Sequence, residues 1–303
     1  MLFLHGQVSM FVRQSVWLAL TLGLSAGMLA AAQTRVVVNL PKDASTVERI
    51  AADELITHLH VLYPSTAFET GAPQEGVPVI YFGTAEELQG NYAAKVKSKL
   101  DHPDSFAIKV IDSRVAVIAG ASSRATLYAV DALLVKLGFG FYLSYNTAPP
   151  PSQAAFSFAG WELVDAPIAG ERLIFNWHNF LSGCSTWNLE DWQRWITQAG
   201  RMRFNTIMVH AYGNNPMFSF SLNGAAKPTG NLSNSRSGRD WGTEDVLDVR
   251  KIVGGEGLFN GPVFGADASM AADKDKVQAA TALMQSVFRF AAERGIGLSL
   301  IHI

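Results

Sequence analysis

The sequence predicts an α+β N-terminal domain followed by an α/β unit, a partial (β/α)8 TIM barrel of about three strands. Three observations predict it. Residues 171–217 run as an apolar segment closing in polar and aromatic residues, an amphipathic helical segment, and a second apolar segment closing the same way. That β-α-β order calls for a right-handed crossover between parallel strands. A further helical pattern from Lys274 to Arg294 stops at Gly295, and Ile296–Ile303 supplies a third strand. Upstream, residues 33–158 mix strand and helix patterns around a two-residue hairpin connection, as a small α+β domain does.

At 303 residues the chain has room for two domains. A 49% hydrophobic and 17% charged composition is that of a globular protein, and 11% aromatic residues suit one that packs or binds rings. The net charge of −2, with no basic stretch, argues against a nucleic-acid partner. Arg13 precedes the uncharged run Ser15–Ala32, and Ala30-Ala31-Ala32 offers the small residues of a cleavage site. Residues 1–32 are therefore expected to be a signal peptide cleaved after Ala32, with Met10 as an alternative start. The run falls short of the ~20 apolar residues of a membrane span, so a secreted or periplasmic protein is expected. Cys184 is the single cysteine, which leaves no intrachain disulfide.

In the first domain (33–158), Arg35–Leu40 reads as a strand. The next helix starts with a Ser45/Glu48 capping-box pattern and carries Val47, Ile50, Ala51, Leu55, Leu59 and Leu62 on one face. Val77–Phe82 is a strand, Thr84 a cap for a helix from Ala85, and Phe106–Ile111 with Arg114–Ile118 a hairpin. Ser122 or Ser123 caps a helix that Gly138 ends, and FGFYL is a last strand before the stiff Pro149-Pro150-Pro151 segment. His58 and His60, two apart on a helix, cannot chelate together and read as surface histidines. The Gly120–Ser123 segment at a helix start reads as a plain N-cap rather than an anion site.

The succession AADELITHL, IYFGT and DSFAIKVIDSRVAVIAGASSRATLYAVDALLVKLGFGFY resembles the domain that precedes the barrel in microbial α-glucuronidases and β-N-acetylhexosaminidases. It covers roughly residues 35–145. In the second part (159–303), Phe175–Asn179 resembles the first-strand ending of those glycosidases, where a Trp and polar neighbours line the sugar pocket. Trp187–Trp192 and Phe204–Ile207 resemble the first helix and second strand of α-N-acetylglucosaminidases. The resemblance implies a secreted glycoside hydrolase acting on glucuronyl or N-acetylhexosaminyl ends of polysaccharides, with a carbohydrate substrate and no cofactor.

Carboxyl ends of strands carry the active site in such barrels. The substrate-binding candidates are therefore Asn176, Trp177 and His178 on the first strand end, and His210, Asn214 and Asn215 on the second. Trp241 in the following segment can stack on a sugar or fill a small core of its own. Residues 212–273, rich in Gly, Asn, Ser and Pro, read as a long loop over that carboxyl face, and loops of such length are usually functional. His178 and His210 lack the third ligand or HExxH pattern of a metal site, so no metal is expected. The Gly254–Gly265 run has Asn260 where a dinucleotide fingerprint needs glycine. Asn188 reads as the N-cap of a helix whose Trp192, Trp195, Ile196 and Ala199 point inward.

Glycosidic cleavage uses two carboxyl groups, and neither strand end offers one. In the families resembled, the acids come from later strands. A full barrel takes roughly 250 residues, so the catalytic pair is expected beyond Ile303 and this chain to be inactive by itself. The alternative is a carbohydrate-binding surface protein that keeps the frame without hydrolysis.

Overall fold

The computed structural model describes residues 34–88, 91–176, 187–211, 221–226 and 273–302. The larger of its sheets has six strands in the order β2-β1-β3-β5-β4-β8. These are β1 (Thr34–Asn39), β2 (Thr66–Thr70), β3 (Val79–Thr84), β4 (Phe106–Asp112), β5 (Val115–Gly120) and β8 (Leu163–Asp165). β2, β1, β3 and β5 run parallel, whereas β4 is antiparallel to β5 and to β8. Helices α1 (Thr46–Leu62) and α3 (Ser123–Lys136) cover one face, where Leu55, Leu59, Tyr128 and Leu133 meet Val36, Val38, Ile80 and Phe82. The alternate positions Ala107, Val117 and Ala119 face a second cluster with Leu88 and Val96. Both faces are thus apolar, as parallel strands require.

The helix starts follow their sequence signals. Ser45 and Glu48 form the reciprocal capping box, with the Ser45 N–H donating to Glu48 Oε2 at 2.7 Å and the Glu48 N–H to Ser45 Oγ at 3.2 Å. Ser122 Oγ accepts from the Ala125 N–H and caps α3. At the turn before α3, a Cβ on Gly120 would lie 2.3 Å from the Thr126 backbone nitrogen.

Several elements depart from the sequence expectation. No helix starts at Ala85: the Thr84 N–H and hydroxyl both donate to the Glu87 carboxylate, closing a single turn, and α2 is the short segment Tyr92–Val96. β2 (TAFET) has too few apolar residues to stand out, and its pairing to β1 supplies the order that its pattern lacks. FGFYL gives only β6 (Gly140–Phe141), paired with β7 (Asn146–Thr147). β8 lies beyond residue 158 and completes the first sheet. The histidines are engaged: His58 contacts Phe139 and Phe141 edge-on, and His60 Nε2 accepts from the Phe68 N–H at 3.1 Å.

The second sheet holds β9 (Leu173–Asn176), β10 (Thr206–Ala211) and β13 (Gly297–His302), all parallel, in the order β13-β10-β9. Helix α4 (Leu189–Arg201) and helix α5 (Asp273–Ala292) join them. Asn188 caps α4 in a box with Asp191. Trp192, Trp195 and Ile196 of α4 and Met284, Val287 and Ala291 of α5 pack on Ile207 and Val209, so both helices lie on one face of the sheet. Sequential parallel strands with their helices on one face are how a (β/α) barrel opens. Within the segment expected to be a loop, Ser221–Leu222 (β11) pairs with Ala225–Ala226 (β12). Asn223 and Gly224, at φ 50° and 82°, form the Asn-Gly turn of that hairpin.

Gly120→Ala should lower the stability by about 1–3 kcal/mol, the usual cost of overpacking, because the clash is with backbone atoms. A shift of the urea midpoint to lower concentration checks it.

Candidate functional site

The two edges of the three-stranded sheet differ in character. At the amino edge, Arg172 precedes β9, Asn205 precedes β10 and Gly295 precedes β13. Arg172 and Asn205 meet Asp104, which is 2% exposed, and Gly295 meets Arg124, the partner of Asp104. Arg124 donates to Asp104 Oδ1 from Nε at 2.9 Å and Nη2 at 2.7 Å, and its Nη1 donates to the Gly295 carbonyl at 3.0 Å. Arg172 Nη2 and Asn205 Nδ2 donate to Asp104 Oδ2 at 2.8 Å and 3.2 Å. Burial alone would raise the Asp104 pKa, but the bonds from Arg172 and Arg124 outweigh it and hold the carboxyl below its ordinary range. Tyr128, pushed up to about 12 by burial, stays neutral and donates to the Phe204 carbonyl at 3.3 Å.

The carboxyl edge carries the candidate binding groups. β9 ends at Asn176, β10 carries His210 next to its last residue Ala211, and β13 ends at His302. Register places Asn176 opposite Val209, and His210 and Ala211 opposite Ile301 and His302. The backbone thus brings Asn176, His210 and His302 to one edge, on strands about 4.8 Å apart. Trp177, His178, Asn214, Asn215 and Trp241 lie outside the described residues. Among the described residues, none of the three carboxyl ends of this sheet is an Asp or Glu. The described residues hold no cluster of His, Cys, Asp and Glu that fits a metal ion, and no helix long and apolar enough to cross a membrane.

Two groupings escaped the sequence. The Asp104 cluster joins residues 68 and 101 positions apart, a separation no local pattern reports. Asp131 on α3, 1% exposed, has no hydrogen-bond partner for either carboxyl oxygen among the described residues. Burial and then the charge of Glu54 push its pKa well up, against Arg201 and Arg203.

No protein-family model matches the sequence, and no curated protein matches it. Among solved structures the chain is similar to a family GH115 4-O-methyl-α-glucuronidase with specificity for decorated arabinogalactans, at 18% identity and TM-score 0.43, over 57% of this chain and 25% of that one. It is similar to a GH138 enzyme targeting pectin rhamnogalacturonan II at 13% identity and TM-score 0.44, over 86% of this chain and 24% of that one. A mutant Streptomyces plicatus β-hexosaminidase in complex with GlcNAc gives 13% identity and TM-score 0.41, over 88% of this chain and 40% of that one. The chain spans 25%, 24% and 40% of the lengths of these three glycoside hydrolases.

Asp104→Ala should cost about 3–5 kcal/mol at neutral pH, since it strands two arginines. A lowered folded pKa means that the carboxylate's contribution is present above its unfolded value of about 3.9 and lost as pH falls through the folded one. Urea unfolding of wild type and variant should therefore converge in acid.

Asp131 behaves oppositely. Its raised folded pKa means that its contribution is complete below the unfolded value and declines as pH rises. Thermal melts should show Asp131→Asn gaining on wild type with pH above about 4, by at most ~1.4 kcal/mol per pH unit.

Proposed function

We propose that this chain is the opening part of a secreted glycoside hydrolase that removes glucuronyl or N-acetylhexosaminyl residues from polysaccharide ends. One observation carries the reading. The parallel strands β9, β10 and β13 have their amino ends tied to the Asp104–Arg124 pair, and their carboxyl edge bears Asn176, His210 and His302. In barrel enzymes the amino face serves stability and the carboxyl face chemistry. The sequence likeness of Phe175–Asn179 to glycosidase strand endings supports the same assignment.

In this reading Asn176, His178, His210, Asn214 and Asn215 hydrogen-bond sugar hydroxyls, and Trp177 and Trp241 lie against pyranose faces. An amide or imidazole both donates and accepts, which suits a hydroxyl that does the same. The proton donor and the base or nucleophile come from barrel strands that follow β13, and residues 1–32 direct export. Bond cleavage then needs one carboxyl to protonate the leaving oxygen and a second to act on the anomeric carbon or on water.

The test is to express the reading frame together with any codons that follow Ile303 and to assay it on 4-nitrophenyl glucuronides and N-acetylhexosaminides. Release of 4-nitrophenol is expected, with Trp177→Ala reducing kcat/KM by about tenfold or more. A stop codon directly after Ile303, with no turnover and intact glycan binding, would sink the hydrolase and leave the carbohydrate-binding protein.

A further inference from the structure

The turn between β6 and β7 presents an aromatic surface that the strand-end site does not use. Tyr142 and Tyr145 stack on each other with centroids 4.6 Å apart and planes 23° from parallel. They stay 45% and 57% exposed, while the hairpin they belong to is closed by the Tyr142 N–H donating to the Tyr145 carbonyl at 3.0 Å. Gly140 makes the stack possible: a Cβ there would lie 2.9 Å from the Tyr142 ring and 2.4 Å from Thr147 Oγ1. Tyr142 is therefore folded back over the hairpin, and Tyr145 rests on it.

Beside Tyr145 runs an open groove of about 350 Å³, lined from the hairpin by Tyr145 and Asn146 and from α4 by Glu190, Arg194, Thr197 and Arg201. Its volume falls within the range of small-molecule sites, about 300–1,000 Å³. Glu190, Arg194, Thr197 and Arg201 recur at helical spacing, so they share one face of α4. Its apolar stripe, Trp192, Trp195 and Ile196, is already packed on the second sheet. A helix or strand docking here would meet carboxylate, amide, hydroxyl and guanidinium groups rather than an apolar seam. The lower wall is fixed, because the Asn146 and Gln198 amides hydrogen-bond at 2.7 Å and Arg201 is held by both Glu54 oxygens.

We propose that this groove binds a glycan strand, with Tyr145 as the platform for one pyranose ring and the α4 face for its hydroxyls. An aromatic ring is negative on its face, and the axial C–H groups of a pyranose present a weakly positive, apolar surface to it. Hydroxyls around the sugar rim match groups that donate and accept side by side along α4. The choice of a glycan as occupant rests on the glycoside hydrolase reading; the built platform and polar wall do not. The groove would hold the polysaccharide to the protein outside the reacting centre.

Affinity gel electrophoresis of the full-length protein in gels containing glucuronoxylan or glycol chitin tests it. Wild type and Tyr145→Phe should be retarded alike, and Tyr145→Ala should bind about tenfold more weakly, the loss of one stacked ring. Thr197→Trp, which fills the groove from α4, should also release the protein while leaving its melting temperature unchanged. Equal retardation of Tyr145→Ala and wild type, or no retardation of wild type in either glycan, overturns the proposal. Hydrolysis of 4-nitrophenyl glycosides, too short to fill the groove, separates the two readings. Turnover without Tyr145-dependent retention removes the groove and keeps the hydrolase. Tyr145-dependent retention without turnover keeps the groove and removes the hydrolase.

Discussion

Asp104 takes hydrogen bonds from Arg124, Arg172 and Asn205 with almost none of its surface in water. A buried charge is costly unless it is paired and its lone pairs are satisfied. Here two guanidinium groups and one amide meet that condition, and each donor is tied to a different element. Arg124 lies in α3 of the first layer, and Arg172 and Asn205 immediately precede β9 and β10. Satisfying one carboxylate therefore sets the amino ends of the parallel strands in register with the first sheet. The Gly295 carbonyl, held by Arg124, brings the start of β13 to the same point.

A second ionic contact lies further along the same boundary. Arg201, in the last turn of α4, donates to both Glu54 oxygens at 2.8 Å, and its guanidinium lies 5.2 Å from the Phe141 ring centroid. It also neutralises part of the charge that Glu54 would impose on Asp131, whose raised pKa reflects burial first and Glu54 second. The boundary thus combines one carboxylate held ionised by its donors with one driven towards its neutral form by isolation. Their opposite responses to pH follow from hydrogen bonding in the first case and desolvation in the second.

How much of this was legible depends on the range of the interaction. Signals confined to a few residues read correctly: the Ser45/Glu48 capping box, the Asn188 N-cap, the serine cap before α3, and the inward Trp192, Trp195, Ile196 and Ala199. The β-α-β order around α4 was legible too, because each strand is apolar enough to announce itself. The failures came where tertiary context decided. β2 and β8 are ordered by their neighbours, and the turn after β3 is closed by Glu87 where Thr84 had read as the cap of a helix. Asn223-Gly224 was a local hairpin signal that the polar composition around it concealed. Of the candidate site, only the backbone positions of Asn176 and His210 fall within described strands, Asn176 opposite Val209 and His210 one position further along β10.

Helix α4 shows how one amphipathic segment links these features. Successive residues advance by about 100° around a helix, so Trp192, Trp195, Ile196 and Ala199 gather on one side and Glu190, Arg194, Thr197 and Arg201 on the other. The first set supplies the core under the parallel strands; the second lines the groove beside Tyr145. Arg201 belongs to the second set and is also the residue that Glu54 holds, so the contact joining α4 to α1 fixes the polar face as well. Moving α4 along its axis would disturb the Trp packing, the Glu54 pair and the groove wall together. The platform and the parallel strands are therefore set in one frame by the same helix, with the hairpin contributing the aromatic surface and α4 the hydrogen-bonding groups.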